Sequence, residues 1–225
     1  MPWLEKNELQ LINQSHVLDF TYQIQCHSLP VEHAYPLAEA ITTILPWIKD
    51  KPNVGIHSIH VADSGNGWTR PIGYNGGVLH LSRRTKLTLR LPQGSLSEAK
   101  NLEGATLTVN GNTLVVGKGK KKPLQPSSTL FARYVVTSKH DEETDFTRYL
   151  IDQLRHMDIH SGKILCGRSH TIPTSKKPIH TRSTLIADLT LEESLRLQQN
   201  GIGSNRHLGC GLFIPHKSIS AVGKP

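Results

Sequence analysis

The segment Gly201-Ile202-Gly203-Ser204-Asn205-Arg206-His207-Leu208-Gly209-Cys210-Gly211-Leu212-Phe213 sets an arginine and a histidine between two glycine pairs. Glycine admits positive φ and close backbone approach, so such a loop suits tracking a phosphate chain, with Arg206 as its cation. An ordinary account covers the same glycines: Gly201 ends a helix, and Gly209 and Gly211 make a bend entering a strand. Proton transfer near neutral pH is histidine chemistry, and the chain has 13 histidines. His57 and His60 stand at a spacing that metal ligands use. Nothing nearby offers a third ligand, so ordinary strand histidines account for them. Neither a metal site nor a cofactor is expected.

The charge pattern points to a polyanion. The net charge is +8, distributed as −4 over residues 1–50, +8 over 51–125 and +4 over 126–225. Such a basic middle and tail suit nucleic acid. Arg83, Arg84, Lys86 and Arg90 lie on or beside one strand pattern, and Arg84, Lys86 and Arg90 share a parity that makes a stripe. Lys118, Lys120, Lys121 and Lys122 cluster in an expected loop. Arg168, His170, Lys176, Lys177, His180 and Arg182 line an expected β-hairpin. Helical RNA is gripped through phosphates and shape, for which arginine and lysine suffice. An aromatic stacking motif of the RNA-recognition type is not visible. Three dispersed cysteines, Cys26, Cys166 and Cys210, argue against a disulfide framework and fit a reducing cytoplasm. Neither a secretion signal nor an apolar run of about 18 residues is visible, so a cytoplasmic protein without membrane contact is expected.

The elements that must position these residues read twice in one order. Val17 to Cys26 alternates as a half-buried strand. After a loop from His27 to Tyr35, Pro36 suits the first turn of a helix whose apolar face is Leu37, Ile41, Ile44, Leu45 and Ile48. A strand from Val54 to Ala62 follows, then a connection through Gly65, Gly67, Gly73, Gly76 and Gly77, and a strand from Leu79 to Leu91. Next come a short helix from Ser97 to Leu102 and a hairpin around Asn110-Gly111. In the second half, Leu130 to Val136 is a strand and Phe146, Leu150, Leu154 and Met157 mark a helix with Asp141 as its cap. Strands follow at Lys163 to Ser169 and Thr184 to Asp188. Thr190-Leu191-Glu192-Glu193 has capping-box form, and its helix leads through the glycine loop to a last strand from Leu212 to Ile214. The expected fold is α+β: two tandem ferredoxin-like, or RRM-like, β-α-β-β-α-β halves, residues 1–122 and 123–225, with a C-terminal glycine-rich loop.

Several segments together resemble a known family. They are Leu45-Pro46-Trp47, Gly55 to His60, Gly65 to Pro71, Leu81 to Leu87, Thr129 to Arg133 and the run from Gly201 to Lys217. With two ferredoxin-like halves and a histidine beside the first helix, the chain resembles the repeat-processing endoribonucleases of CRISPR systems, in the RAMP superfamily and closest to the MYXAN-type branch. The resemblance implies a metal-independent RNase that binds a repeat stem-loop of precursor CRISPR RNA and cuts once per repeat. The ribose 2′-OH attacks the adjacent phosphate, leaving a 2′,3′-cyclic phosphate. It also implies retention of the mature guide RNA and union with other subunits of an effector complex. A RAMP-type RNA-binding subunit that has lost cleavage is the alternative. The catalytic residue implied is His33, before the helix start, where the positive helix end favours a neutral imidazole base. His27 ranks second, and Tyr35 either positions the 2′-OH or is structural. The implied RNA contacts are Arg83, Arg84, Lys86, Lys118, Lys120, Lys121, Arg168, His170, Lys176, Arg182, Gly203, Arg206 and His207.

Overall fold

The computed structural model describes residues 15–60, 77–137, 142–160 and 162–216. Strand β1 (Val17–Gln25) turns Leu18, Phe20, Tyr22 and Ile24 inward, where they pack with Leu37, Ala38 and Ile41 of helix α1 (Ala34–Ile44). Between them, β2 (Ser28–Pro30) interrupts the expected loop by pairing with β4 (Val78–His80). Helix α1 stops at Leu45 because that residue precedes Pro46, which disfavours helical backbone; a 3-10 turn, Pro46–Ile48, follows.

The expected strand from Val54 to Ala62 is shorter. β3 is Gly55–Ile56, and its end at Ala62 lies outside the described residues, as do Gly65, Gly67, Gly73, Gly76 and the family-like segment from Gly65 to Pro71. Gly55 is demanded by packing: a Cβ there would lie 2.5 Å from the Leu212 side chain. The expected strand from Leu79 to Leu91 is two strands, β4 and β5 (Lys86–Pro92), parted by a turn in which Thr85 N–H donates to Ser82 O at 3.0 Å. A short helix α2 (Leu96–Ala99) and the Asn110-Gly111 hairpin of β6 (Thr106–Val109) and β7 (Asn112–Pro123) complete this unit. Its sheet order is β3-β5-β1-β7-β6.

The second unit holds β8 (Leu130–Val136), α3 (Glu143–His156), the long hairpin of β9 (Lys163–Ile172) and β10 (Ile179–Ala187), α4 (Leu191–Asn200) and β11 (Ile214–Pro215), in sheet order β11-β8-β10-β9. Asp141, the expected cap of α3, lies outside the described residues. The Thr190 capping box forms: Thr190 Oγ1 accepts from Glu193 N, and Glu193 returns a bond to Thr190 N.

The two units share their interior. Tyr134, Val136, Ile172, Leu208 and Cys210 of the second pack into the core of the first. The seam is fixed by Arg90, which is 1 % exposed. The expected stripe of Arg84, Lys86 and Arg90 therefore fails at Arg90, because the second unit covers that end of β5. Arg90 Nε and Nη2 donate to the two oxygens of Asp19 at 2.8 and 3.1 Å, and Nη1 donates to Phe213 O at 2.6 Å and Gln198 O at 3.1 Å. Burial alone would raise the Asp19 pKa. The Arg90 charge and His57 overcome it and hold the carboxyl well below the usual carboxylate range. The pair's contribution is therefore complete above about pH 4 and is lost as acid reaches the depressed carboxyl. Replacing Arg90→Met strands a largely buried carboxylate and two carbonyls. It should lower the unfolding free energy by about 3–5 kcal/mol, measured as a drop in the urea midpoint.

Candidate functional site

His33 caps α1 from within the fold. It is 1 % exposed. Its Nδ1–H donates to Pro30 O at 2.8 Å, and its Nε2 accepts from Ile59 N–H at 3.0 Å. Both ring nitrogens are engaged, and the bonds assign the Nδ1–H tautomer. His33, expected in a loop ahead of the helix, is enclosed and not open to solvent, and it staples β2 and the start of α1 to the segment after β3. Sequence could not reveal this, because one partner lies 26 residues away.

Tyr35 reaches the other unit. Its hydroxyl contacts Ser175 Oγ in the turn between β9 and β10. Nearby, His170 Nε2 lies 3.2 Å from Glu32 Oε2, and its ring packs on Tyr134 at 4.9 Å. The basic hairpin thus leans on the start of α1 and brings Lys176 to that edge. Arg168 and Lys176 are exposed, whereas Arg182 faces Ser169 and Glu143 at 3.4 Å each.

Arg83 and Arg84 are exposed in the turn before β5, and Lys86 opens that strand. A hollow of about 1040 Å³ opens over the end of β1, lined by His27, Arg83, Lys86, Gln23, Gln25 and Asn112 among others, with no carboxylate among the described residues of its wall. Lys118, Lys120, Lys121 and Lys122 are not in a loop as expected; they extend β7. The strand runs on because β1 offers it a partner: Lys120 pairs with Thr21 and Lys122 with Asp19. Alternation sets Lys118, Lys120 and Lys122 on one face and Lys121 on the other.

The glycine loop is a packed element. Gly201, Gly203, Gly209 and Gly211 all have positive φ, as does Asn205. Gly201 does end α4, its N–H donating to Leu197 O. A Cβ on Gly211 would lie 2.1 Å from Ile202 O, and one on Gly201 would lie 2.4 Å from Gly211 O. Arg206 is not the expected phosphate cation. It is 5 % exposed, and its Nη1 and Nη2 donate to Asn200 O and Gln199 O at 2.7 and 3.1 Å, capping the end of α4. Burial, with the Arg90 charge adding to it, pulls its pKa down to about 10. Gly203 and Ser204 are exposed, and His207 is half-buried in a 3-10 turn, Arg206–Leu208.

The paired histidines after β3 part ways. His57 is half-buried, with a buried Nε2 at 3.4 Å from Asp19 Oδ1 but without hydrogen-bond geometry. Burial lowers its pKa, Asp19 offsetting part of the effect. His60 Nε2 accepts from Arg133 Nε at 3.0 Å across the two units. The sequence reading missed the roles of Asp19, His57 and Arg133. Only the parity of Asp19 opposite Arg90 could have signalled one of them. Among the described residues, no helix is long and apolar enough to cross a membrane.

The two α+β units pack together at the glycine loop, and solved structures share this fold. A solved structure described as an RAMP protein binding different RNA substrates superposes with a TM-score of 0.60 at 16 % identity, covering 89 % of this chain and 100 % of that one. One of a Cas6-related gene product from Pyrococcus furiosus gives 0.55 at 13 % identity, covering 88 % and 97 %. The family model described as Cas6 Crispr matches residues 18–218, and the chain belongs to the Cas6 family. The CRISPR-associated endonuclease Cas6 of Myxococcus xanthus (strain DK1622) is 29 % identical over 199 residues, which are 88 % of this chain and 81 % of that relative.

The His33 geometry carries a stability prediction. His33→Ala leaves Pro30 O and Ile59 N–H unpaired in the interior. It should cost about 2–4 kcal/mol, read as a lower urea midpoint at unchanged m-value.

Proposed function

We propose that the chain is an endoribonuclease that binds the repeat stem-loop of precursor CRISPR RNA and cuts it once per repeat. The family match over residues 18–218 carries this reading, and the endonuclease relative supports it. Residues 1–122 and 123–225 are read as two ferredoxin-like halves. Numbered within each half as β1, β3, β5, β7 and as β8, β9, β10, β11, the strands lie in the same order, 4-1-3-2, and this supports the reading. RNA lies on the carboxylate-free hollow, the lysines of β7 and the basic hairpin, where phosphate contacts need only cations. The nucleophile is the RNA's own 2′-OH, which requires a base, an acid for the leaving 5′-oxygen and a cation near the phosphorane, and no metal. The product is a mature guide with a 2′,3′-cyclic phosphate, which the protein keeps as it joins an effector complex.

One observation favours a second reading, an RNA-binding subunit without cleavage: both nitrogens of His33 are engaged. A single assay separates the two. Repeat RNA incubated with the protein in EDTA should give one cut ending in cyclic phosphate. A 2′-deoxy substitution at the nucleotide before the cut should abolish it while binding persists. Tight binding with intact RNA under every condition would establish the second reading instead. In either case affinity should fall tenfold or more between about 50 and 200 mM salt.

A further inference from the structure

The glycine loop presents one titratable side chain outward. In its 3-10 turn Arg206 and Leu208 are 5 % exposed each, and His207 between them is half-buried. The turn is held from several sides. Leu208 N–H and Cys210 N–H both donate to Asn205 O, and Gly209 N–H donates to Arg206 O. Asn205 enters in the left-handed region and Gly209 leaves in it. Arg206 anchors the turn to the end of α4 and Leu208 anchors it in the core. The direction of His207 is therefore set by the fold, as a reacting group requires.

Helix α1 packs against this turn, and two charges act on the imidazole from that side. Glu39, on α1, and Lys49, just after the Pro46–Ile48 turn, lie 3.2 Å apart, and both act on His207. Both are about half exposed, so the place is open to a large ligand. Burial lowers the His207 pKa and Lys49 lowers it further, against a smaller opposing effect of Glu39. The imidazole is thus kept in the form that takes a proton.

We propose that His207, presented by the glycine loop beside Lys49, is the general base of the cleavage reaction. This rests on the endoribonuclease reading above. His207 takes the proton of the 2′-OH as the 2′-oxygen bonds to phosphorus. The bond from phosphorus to the 5′-oxygen breaks, its electron pair stays on that oxygen, and solvent supplies the proton. The Lys49 ammonium sits where the phosphorane gathers negative charge, and Glu39 positions it. His33, by contrast, acts only through the fold.

Single-turnover cleavage of repeat RNA across pH tests this, with binding measured separately. The wild-type rate should rise with pH through the His207 pKa and then level. His207→Gln should lose about 100-fold or more in rate together with that rising limb, while binding changes less than about threefold. Lys49 is exposed, so Lys49→Ala leaves packing intact and supplies a readout that misfolding does not imitate. Removing its charge should move the limb to higher pH, Glu39→Gln should move it to lower pH, and Lys49→Arg should leave it in place. Wild-type cleavage with an unchanged rate and profile in His207→Gln would overturn the assignment and leave the endoribonuclease reading standing. Wild-type protein that binds the RNA and never cuts it would overturn both.

Discussion

One guanidinium decides how the halves of this molecule meet. Arg90 has four of its five donors engaged: two on Asp19, one unit's own carboxylate, and two on the carbonyls of Gln198 and Phe213 in the other unit. Taking such a charge from water costs several kcal/mol, recovered only when partner and geometry are right. The seam therefore tolerates a single docking. An apolar contact between the same elements could slide; a fork bound to one carboxylate and two carbonyls cannot. The carbonyls it holds bracket the loop glycines on both sides, since Gln198 lies in the last turn of the helix before them and Phe213 follows the last of them.

Arg206 extends the same logic. It lies near enough to Arg90 for the two charges to repel, and its own donors go to the carbonyls at the end of α4. Two arginines of a chain with net charge +8 are thus interior struts. Charge counted along a sequence overstates the cations a polyanion meets, most of all where a parity argument assigns a whole strand to one face. The surface cations that remain, Arg83, Arg84, Lys86 and the β7 lysines, sit on one unit. The hairpin with Arg168 and Lys176 sits on the other and lies against Glu32 and Tyr35. Those two contacts make the reach between the patches a property of the tertiary fold.

Local patterns in the sequence carried much of the architecture. The alternation of β1, the Asn110-Gly111 turn, the Thr190 capping box and the helix end at Gly201 are written in neighbouring residues, and each forms. Where the reading failed, the deciding partner was distant. Gly117 to Lys122 has no apolar period and few strand-favouring residues, so nothing in it signals a strand; pairing with β1 imposes one. β3 ends early, and its Gly55 is set by a leucine near the far end of the chain. Histidines were hardest. A sequence shows where an imidazole stands relative to a helix start, but not whether Pro30 O and Ile59 N–H occupy its two nitrogens.

The glycine loop shows why composition alone could not tell packing from chemistry. Gly201 and Gly211 are glycine because two backbones approach where a Cβ has no room, and Gly209 because Ser58 and Ile56 crowd it. The same glycines would be needed if no RNA ever bound. Function must then be sought in what this tight backbone holds out rather than in the backbone itself. Buried Arg206 and Leu208 fix the turn, and the residue between them is left half-buried where the turn meets α1. A histidine at a loose loop tip would lose part of its catalytic effect to wrong orientations, and effective positioning is worth several kcal/mol of barrier. The tight path set by five positive-φ residues between 201 and 211 thus has two consequences at once: it brings Leu208 and Cys210 into the core of the first unit, and it fixes the backbone that carries His207.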